Sequence, residues 1–165
     1  MVPAHWAVGR PAPFDTRAAM GLAWGDAAIP TPHPEGPPPM QTYHGSCHCG
    51  RVRFEIDAEI ARVTRCNCSI CGKKGALLLR VPPERFRLLA GEDALRPYRF
   101  NTKVAQHLFC TVCGIHPFSH PRAAPELYTI NVRCLDDYDV AAEQPGIVPF
   151  DGRHWEQAVQ GHRFN

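Results

Sequence analysis

Hydrophobic and polar side chains alternate from Arg51 to Ile56: Val52, Phe54 and Ile56 are separated by Arg53 and Glu55. This is the period of two of a strand with one face buried and the other in water. Ala76 to Val81 is an apolar run stopped by Pro82 and Pro83, and Phe86 to Leu89 leads into a turn at Gly91-Glu92-Asp93. Further strands are predicted at Arg96 to Asn101, Ala105 to Phe109 and Leu127 to Val132. No segment sustains a helical period. The pattern predicts a mainly β domain with short helical turns near Pro83 to Phe86 and Trp155 to Val159.

The first 39 residues differ from the rest. They are rich in Pro, Ala and Gly, and Ile29 to Pro39 can support neither helix nor sheet. Residues 1–39 are expected to be a disordered leader, with the domain spanning 40–165. The composition changes at Met40, whose following text, Gln41-Thr42-Tyr43-His44-Gly45-Ser46-Cys47, reads as the start of a domain. Met40 is therefore expected to be the initiator and the leader an upstream translation artefact, which the mass of the protein expressed from its own gene would decide.

A chain of 165 residues can bury a core of its own, so metal is not needed merely to hold a small protein together. The net charge is +2, with Lys and Arg dispersed among Asp and Glu, a balance that speaks against a nucleic-acid surface. No apolar run reaches the roughly 20 residues that cross a bilayer, and the N-terminus lacks a basic segment followed by an apolar one. The expected location is the cytoplasm, where thiols stay reduced and a patterned set of them binds metal more often than it forms disulfides.

Seven of the eight cysteines fall into compact groups: Cys47-x-Cys49, Cys66-x-Cys68-x-x-Cys71 and Cys110-x-x-Cys113. Two sulfurs from one tight loop reach a single zinc at about 2.3 Å without distorting the backbone. Gly50, Gly72 and Gly114 each follow the last cysteine of a group, where a chain wrapping a metal needs positive φ. The two pairs sum to four ligands, the saturated set of a structural zinc, and the triplet is left with three. Such a triplet either borrows a fourth protein ligand, such as a His, or keeps an open position for water or substrate, as catalytic zinc does. The expectation is two Zn²⁺ per chain. Cys134 stands alone in a predicted strand and is read as a small buried hydrophobe.

Five motifs in order resemble the glutathione-dependent formaldehyde-activating enzyme family, to which centromere protein V is related. They are Gly45-Ser46-Cys47-His48-Cys49-Gly50, Cys66-Asn67-Cys68-Ser69-Ile70-Cys71, Phe109-Cys110-Thr111-Val112-Cys113-Gly114-Ile115-His116-Pro117-Phe118, Asn131-Val132-Arg133-Cys134-Leu135-Asp136, and Phe150-Asp151-Gly152-Arg153-His154-Trp155-Glu156. The resemblance runs from about Tyr43 to Trp155. It implies a β-tent of twisted antiparallel sheets, with Cys47, Cys49, Cys110 and Cys113 on a structural zinc and Cys66, Cys68 and Cys71 on a catalytic one. It also implies a reaction, the joining of glutathione to formaldehyde to give S-hydroxymethylglutathione, classed in reverse as a carbon–sulfur lyase. The expected partners are therefore a small glutathione-like thiol and a small aldehyde.

In that setting His116 is the candidate proton donor to the alkoxide, although an ordinary structural His in a Pro-flanked turn fits its position as well. Lys73, Lys74 and Arg133 are candidates for holding the carboxylates of the thiol substrate, against the plainer reading of a solvated loop. His48 and Ser69, between ligands, serve turn geometry or hydrogen bonding to the ligands. Two other classes compete. A non-catalytic, zinc-stabilised binding protein would close the triplet with a fourth protein ligand, and a zinc-ribbon nucleic-acid binder would need a basic stripe that this sequence lacks.

Overall fold

In the computed structural model, which describes residues 38–160, the alternation at Phe54 and Ile56 becomes a strand whose apolar side chains are fully buried. The strands run in chain order as β1 (Gln41–Ser46), β2 (Arg53–Ala58), β3 (Arg62–Cys66), β4 (Leu78–Val81), β5 (Phe86–Ala90), β6 (Leu95–Tyr98), β7 (Gln106–Cys110), β8 (Phe118–His120), β9 (Tyr128–Asn131) and β10 (Gly146–Phe150). The helices are short: α1 (Ser69–Lys74), α2 (Val140–Glu143) and α3 (Trp155–Gln160). All but two of the residues expected in the leader lie outside the described residues, as does the question of the initiator. No helix among the described residues is long and apolar enough to cross a membrane.

The strands form two sheets, one in the order β1-β2-β5 and one in the order β10-β3-β4-β9-β8-β7-β6. On the outer face of β2, Arg87 of β5 donates to Glu55 at 3.0 Å and to Asp57 at 2.8 Å. The inner face meets the larger sheet through aromatic rings. Phe54 packs edge-on to Phe118 at 5.4 Å, and Phe86 stacks on Tyr128 at 3.8 Å, so each contact joins one sheet to the other. Such pairs contribute about 0.5–1.5 kcal/mol each beyond the area they bury.

The mainly β expectation holds, with corrections at particular places. The larger sheet is not wholly antiparallel: β10 runs parallel to β3, with Phe150 opposite Cys66. Proline lies on both of its edges, Pro97 in β6 and Pro149 in β10, where a missing N–H removes no ladder bond and discourages further pairing. The helical turns expected near Pro83 and Trp155 are present, as a 3₁₀ turn at Pro83–Arg85 and as α3. The helix α1, inside the cysteine triplet, and the 3₁₀ turn Val132–Cys134 were not expected. Cys134 therefore sits in that turn rather than in a strand, because the chain leaves the sheet at Asn131, whose side chain accepts from the N–H of Arg133.

Candidate metal centre

The first cysteine group is assembled from two tight turns. Cys47 and Cys49 lie between β1 and β2, while Cys110 ends β7 and Cys113 follows it, so each sheet supplies half of the group. In each turn a glycine N–H closes back on the first cysteine carbonyl at 2.8 Å: Gly50 on Cys47 and Gly114 on Cys110. Both glycines have positive φ, 71° and 76°. The Cys47 and Cys49 sulfurs are 3.5 Å apart, and those of Cys49 and Cys110 are 3.8 Å apart. Tetrahedral zinc with bonds of about 2.3 Å spaces its sulfurs about 3.8 Å apart, whereas a disulfide needs about 2.05 Å. All four Sγ atoms lie within 4.8 Å of one another, so the group could hold one metal ion with a complete thiol shell.

The second group is built on one short segment. Cys66 ends β3, Cys68 precedes α1, and Cys71 is buried on that helix. The expectation of positive φ at Gly72 is corrected here: Gly72 lies inside α1, and the left-handed residue is Gly75, which caps the helix with φ 61° and donates to the carbonyls of Cys71 and Gly72. The three Sγ atoms also lie within 4.8 Å of one another, and among the described residues no other His, Cys, Asp or Glu joins them. Hydrogen bonds from the Cys66 and Cys71 thiols hold the Cys68 thiol well below its ordinary pKa, while contact with Cys68 pushes Cys66 up and contact with Cys66 pushes Cys71 up. Three thiols so placed ionise together only around a cation, which is the test a metal site must meet. Two cations stand close by. Burial lowers the pKa of Lys74 against the pull of Cys71 and Cys68, and burial lowers that of Arg80 against the pull of Cys66.

The parallel pairing of β10 with β3 brings a third element to the triplet. Asn67 holds it in place: its N–H donates to the Phe150 carbonyl at 3.2 Å, its side-chain amide donates to Asp151 at 2.8 Å, and its side-chain oxygen accepts from the Arg153 N–H at 3.0 Å. Gly152, between those partners, leaves no room for a side chain. A Cβ there would meet the Cys66 sulfur and lie 2.8 Å from Cys68 Cβ. Gly152→Ala is therefore expected to displace Cys66 and weaken metal binding at the triplet by about 10- to 100-fold, the range seen when groups supporting ligands are changed. Titration of the triplet against a competing chelator would show this, with the four-cysteine group unaffected.

A cavity of about 440 Å³ opens over the triplet, lined by all three cysteines. Leu78, Phe100, Phe150 and Trp155 supply apolar wall, and His107, Arg80 and Arg122 supply polar groups. Arg122 is held there by Glu156 and by the Trp155 ring, 3.7 Å below its guanidinium.

The non-cysteine candidates are scattered around this site. His116 does not line the large cavity. It borders a space of about 10 Å³ together with Cys71, Lys74 and His107, and its Nδ1 is sealed from solvent with no hydrogen-bond partner. Burial and Lys74 push its pKa down to about 4, so it is a neutral imidazole. Lys74 points inward, with Nζ 3.1 Å from His107 Nδ1, while Lys73 is exposed on α1. Arg133 donates through Nε to the Gly75 carbonyl at 2.9 Å and faces an open groove on the triplet's flank, shared with Arg65 and Arg153. His48 is exposed in its turn, and Ser69 lines the large cavity. Cys134 is buried and belongs to neither thiol group; Asn131 donates to its sulfur at 3.6 Å. His107 carries no mark in the sequence, for it is one residue of a strand whose importance comes from a lysine 33 positions earlier.

Two comparisons bear on this arrangement. The crystal structure of a Rhodobacter sphaeroides protein is similar at 33% sequence identity with a TM-score of 0.59, over 63% of this chain and 97% of that one. The pattern of the glutathione-dependent formaldehyde-activating enzyme family matches residues 42–148, a span that includes both thiol groups and ends before the loop carrying Gly152. The chain belongs to the glutathione-dependent formaldehyde-activating enzyme family.

Proposed function

We propose that the protein is a zinc-dependent enzyme of the carbon–sulfur lyase type that makes and breaks the adduct of a small thiol, glutathione or a relative, with formaldehyde or another small aldehyde. The observation that carries this reading is the contrast between the thiol groups. Four cysteines complete one shell, whereas the triplet gains no fourth protein ligand among the described residues and faces a cavity. Zinc bound by Cys66, Cys68 and Cys71 would supply an open position for the substrate thiol and lower its pKa, so that thiolate is present at neutral pH.

The chain's own residues then have distinct tasks. The apolar wall of Leu78, Phe100, Phe150 and Trp155 keeps water from the reacting carbon, and a cavity of about 440 Å³ has room for the thiol's reactive end with a one-carbon aldehyde. Lys74 and Arg80, half-buried beside the thiols, offset their negative charge. Lys73 and Arg133, at the outer margin of α1, are assigned to the carboxylates of the thiol substrate. His116 is assigned a supporting place beside Cys71, since it borders the small space there and does not line the large cavity. Eight free thiols suit a reducing compartment, and we assign the protein to the cytoplasm.

Exchange NMR of glutathione and formaldehyde tests the proposal. Protein loaded with two zincs is expected to raise the rate of S-hydroxymethylglutathione formation well above the spontaneous rate. Fully loaded protein that leaves that rate unchanged, with other small thiols and aldehydes equally unaffected, would mark the chain as a zinc-stabilised binding protein instead.

A further inference from the structure

His107 is the second residue of β7, opposite Tyr98 of β6 and Ser119 of β8. The residue is 9% exposed, its ring stacks on Phe100 with centroids 5.5 Å apart, and it lines the cavity over the triplet. The Lys74 ammonium at Nδ1 has three donors and no acceptor, so Nδ1 must accept. The single ring proton of the neutral imidazole is then on Nε2. Among the described residues no protein group pairs with Nε2, and that atom is not one of the polar atoms sealed from solvent. His107 lines the large cavity, and Nε2 is the ring atom left to face it.

We propose that His107 donates its Nε2–H hydrogen bond to the oxygen of the aldehyde, or of the thiol adduct, as charge develops there, and that Lys74 is the positioning residue that fixes this tautomer. The inference rests on the thiol–aldehyde reading of the triplet. One six-residue helix coordinates the parts, since α1 carries Cys71 and, three residues later, Lys74. Burial and Lys74 together push the pKa of His107 down to about 4, so the donor is a neutral N–H across the range in which the thiol reacts. A neutral donor backed by a half-buried cation polarises a carbonyl while leaving no net charge of its own to be neutralised by the thiolate. His116 does not line that cavity and borders only the small space beside Cys71.

The tautomer is directly observable. In zinc-loaded protein labelled with ¹⁵N-histidine, the His107 signals, assigned by their loss in His107→Gln, are expected to show a protonated Nε2 and a bare Nδ1. Lys74→Met should relax that preference. A protonated Nδ1 in the wild type, or an unchanged tautomer in Lys74→Met, overturns the proposal.

Kinetics supply the second arm. At full zinc content His107→Leu is expected to lower kcat for glutathione and formaldehyde by about 10²- to 10³-fold, as loss of one such donor does, with the KM for glutathione little changed. His107→Gln, which keeps an N–H donor, should recover at least about tenfold of that loss. Equal losses in the two variants, or none in His107→Leu, would overturn the donor role; should His107→Leu fail to fold, the tautomer measurement decides. A wild type with no catalysis overturns the thiol–aldehyde reading and this inference with it, whereas an active wild type with an equally active His107→Leu overturns this inference alone.

Discussion

Cys110→Ala is expected to abolish the folded state. Cys110 is fully buried at the end of β7 in the larger sheet, and Cys47, 1% exposed, follows β1 in the smaller one, so the four-thiol group ties the two sheets together at one end. Zinc in a closed thiol site has an apparent binding free energy of about 10–16 kcal/mol, and a domain of this size is stable by about 5–15 kcal/mol in all. Loss of the metal therefore removes a quantity as large as the whole stability. In addition, one thiol fewer leaves Cys47, Cys49 and Cys113, of which Cys47 is buried, without a complete shell around the cation that lets them ionise. Circular dichroism should show a chain lacking a cooperative transition, and treatment of the wild type with a strong chelator should reproduce it. A melting temperature within a few degrees of the wild type would contradict the structural assignment of this group.

Cys66→Ala is expected to have the opposite profile, a folded protein that has lost one zinc and its chemistry. Cys66 is half-buried at the end of β3, beside the edge strand β10, and the triplet is contained within one segment of six residues, so no sheet-to-sheet connection depends on it. Loss of a metal that contributes several kcal/mol to the transition state corresponds to a fall of about 10³-fold or more, which places the rate at the spontaneous background. Zinc analysis should give one ion per chain instead of two, with an intact near-UV spectrum. An undiminished rate in this variant would remove the triplet from the mechanism.

The different effects of these two substitutions follow from a division that could be read from cysteine spacing. A C-x-C pair and a C-x-x-C pair sum to four, a C-x-C-x-x-C triplet does not, and the structure groups the same seven residues in the same way. Strand β2 was equally legible because its alternation is strict and one face is wet. What was not legible depended on distant pairing. β10 contains Pro149 and reads as a poor strand, yet as an edge partner of β3 it tolerates proline and delivers Gly152 to the cysteines. Helix α1 is too short to display a helical period, so the glycine expected to turn the chain after Cys71 was placed three residues early. His116 drew attention because it lies just past the Cys110 group in the family motif. Position along β7 instead gives His107 access to the cavity, and only the fold shows that Lys74 meets it.

The proposed reaction needs a metal on the triplet with a position left for a substrate thiol. The most direct measurement replaces zinc by cobalt(II), whose visible absorption bands report its ligands, and follows those bands as glutathione is added. Two cobalt ions per chain are expected, with a glutathione-dependent shift of the bands of one of them that is absent from Cys66→Ala. Bands that glutathione does not move, in protein carrying both ions, would contradict the proposed reaction.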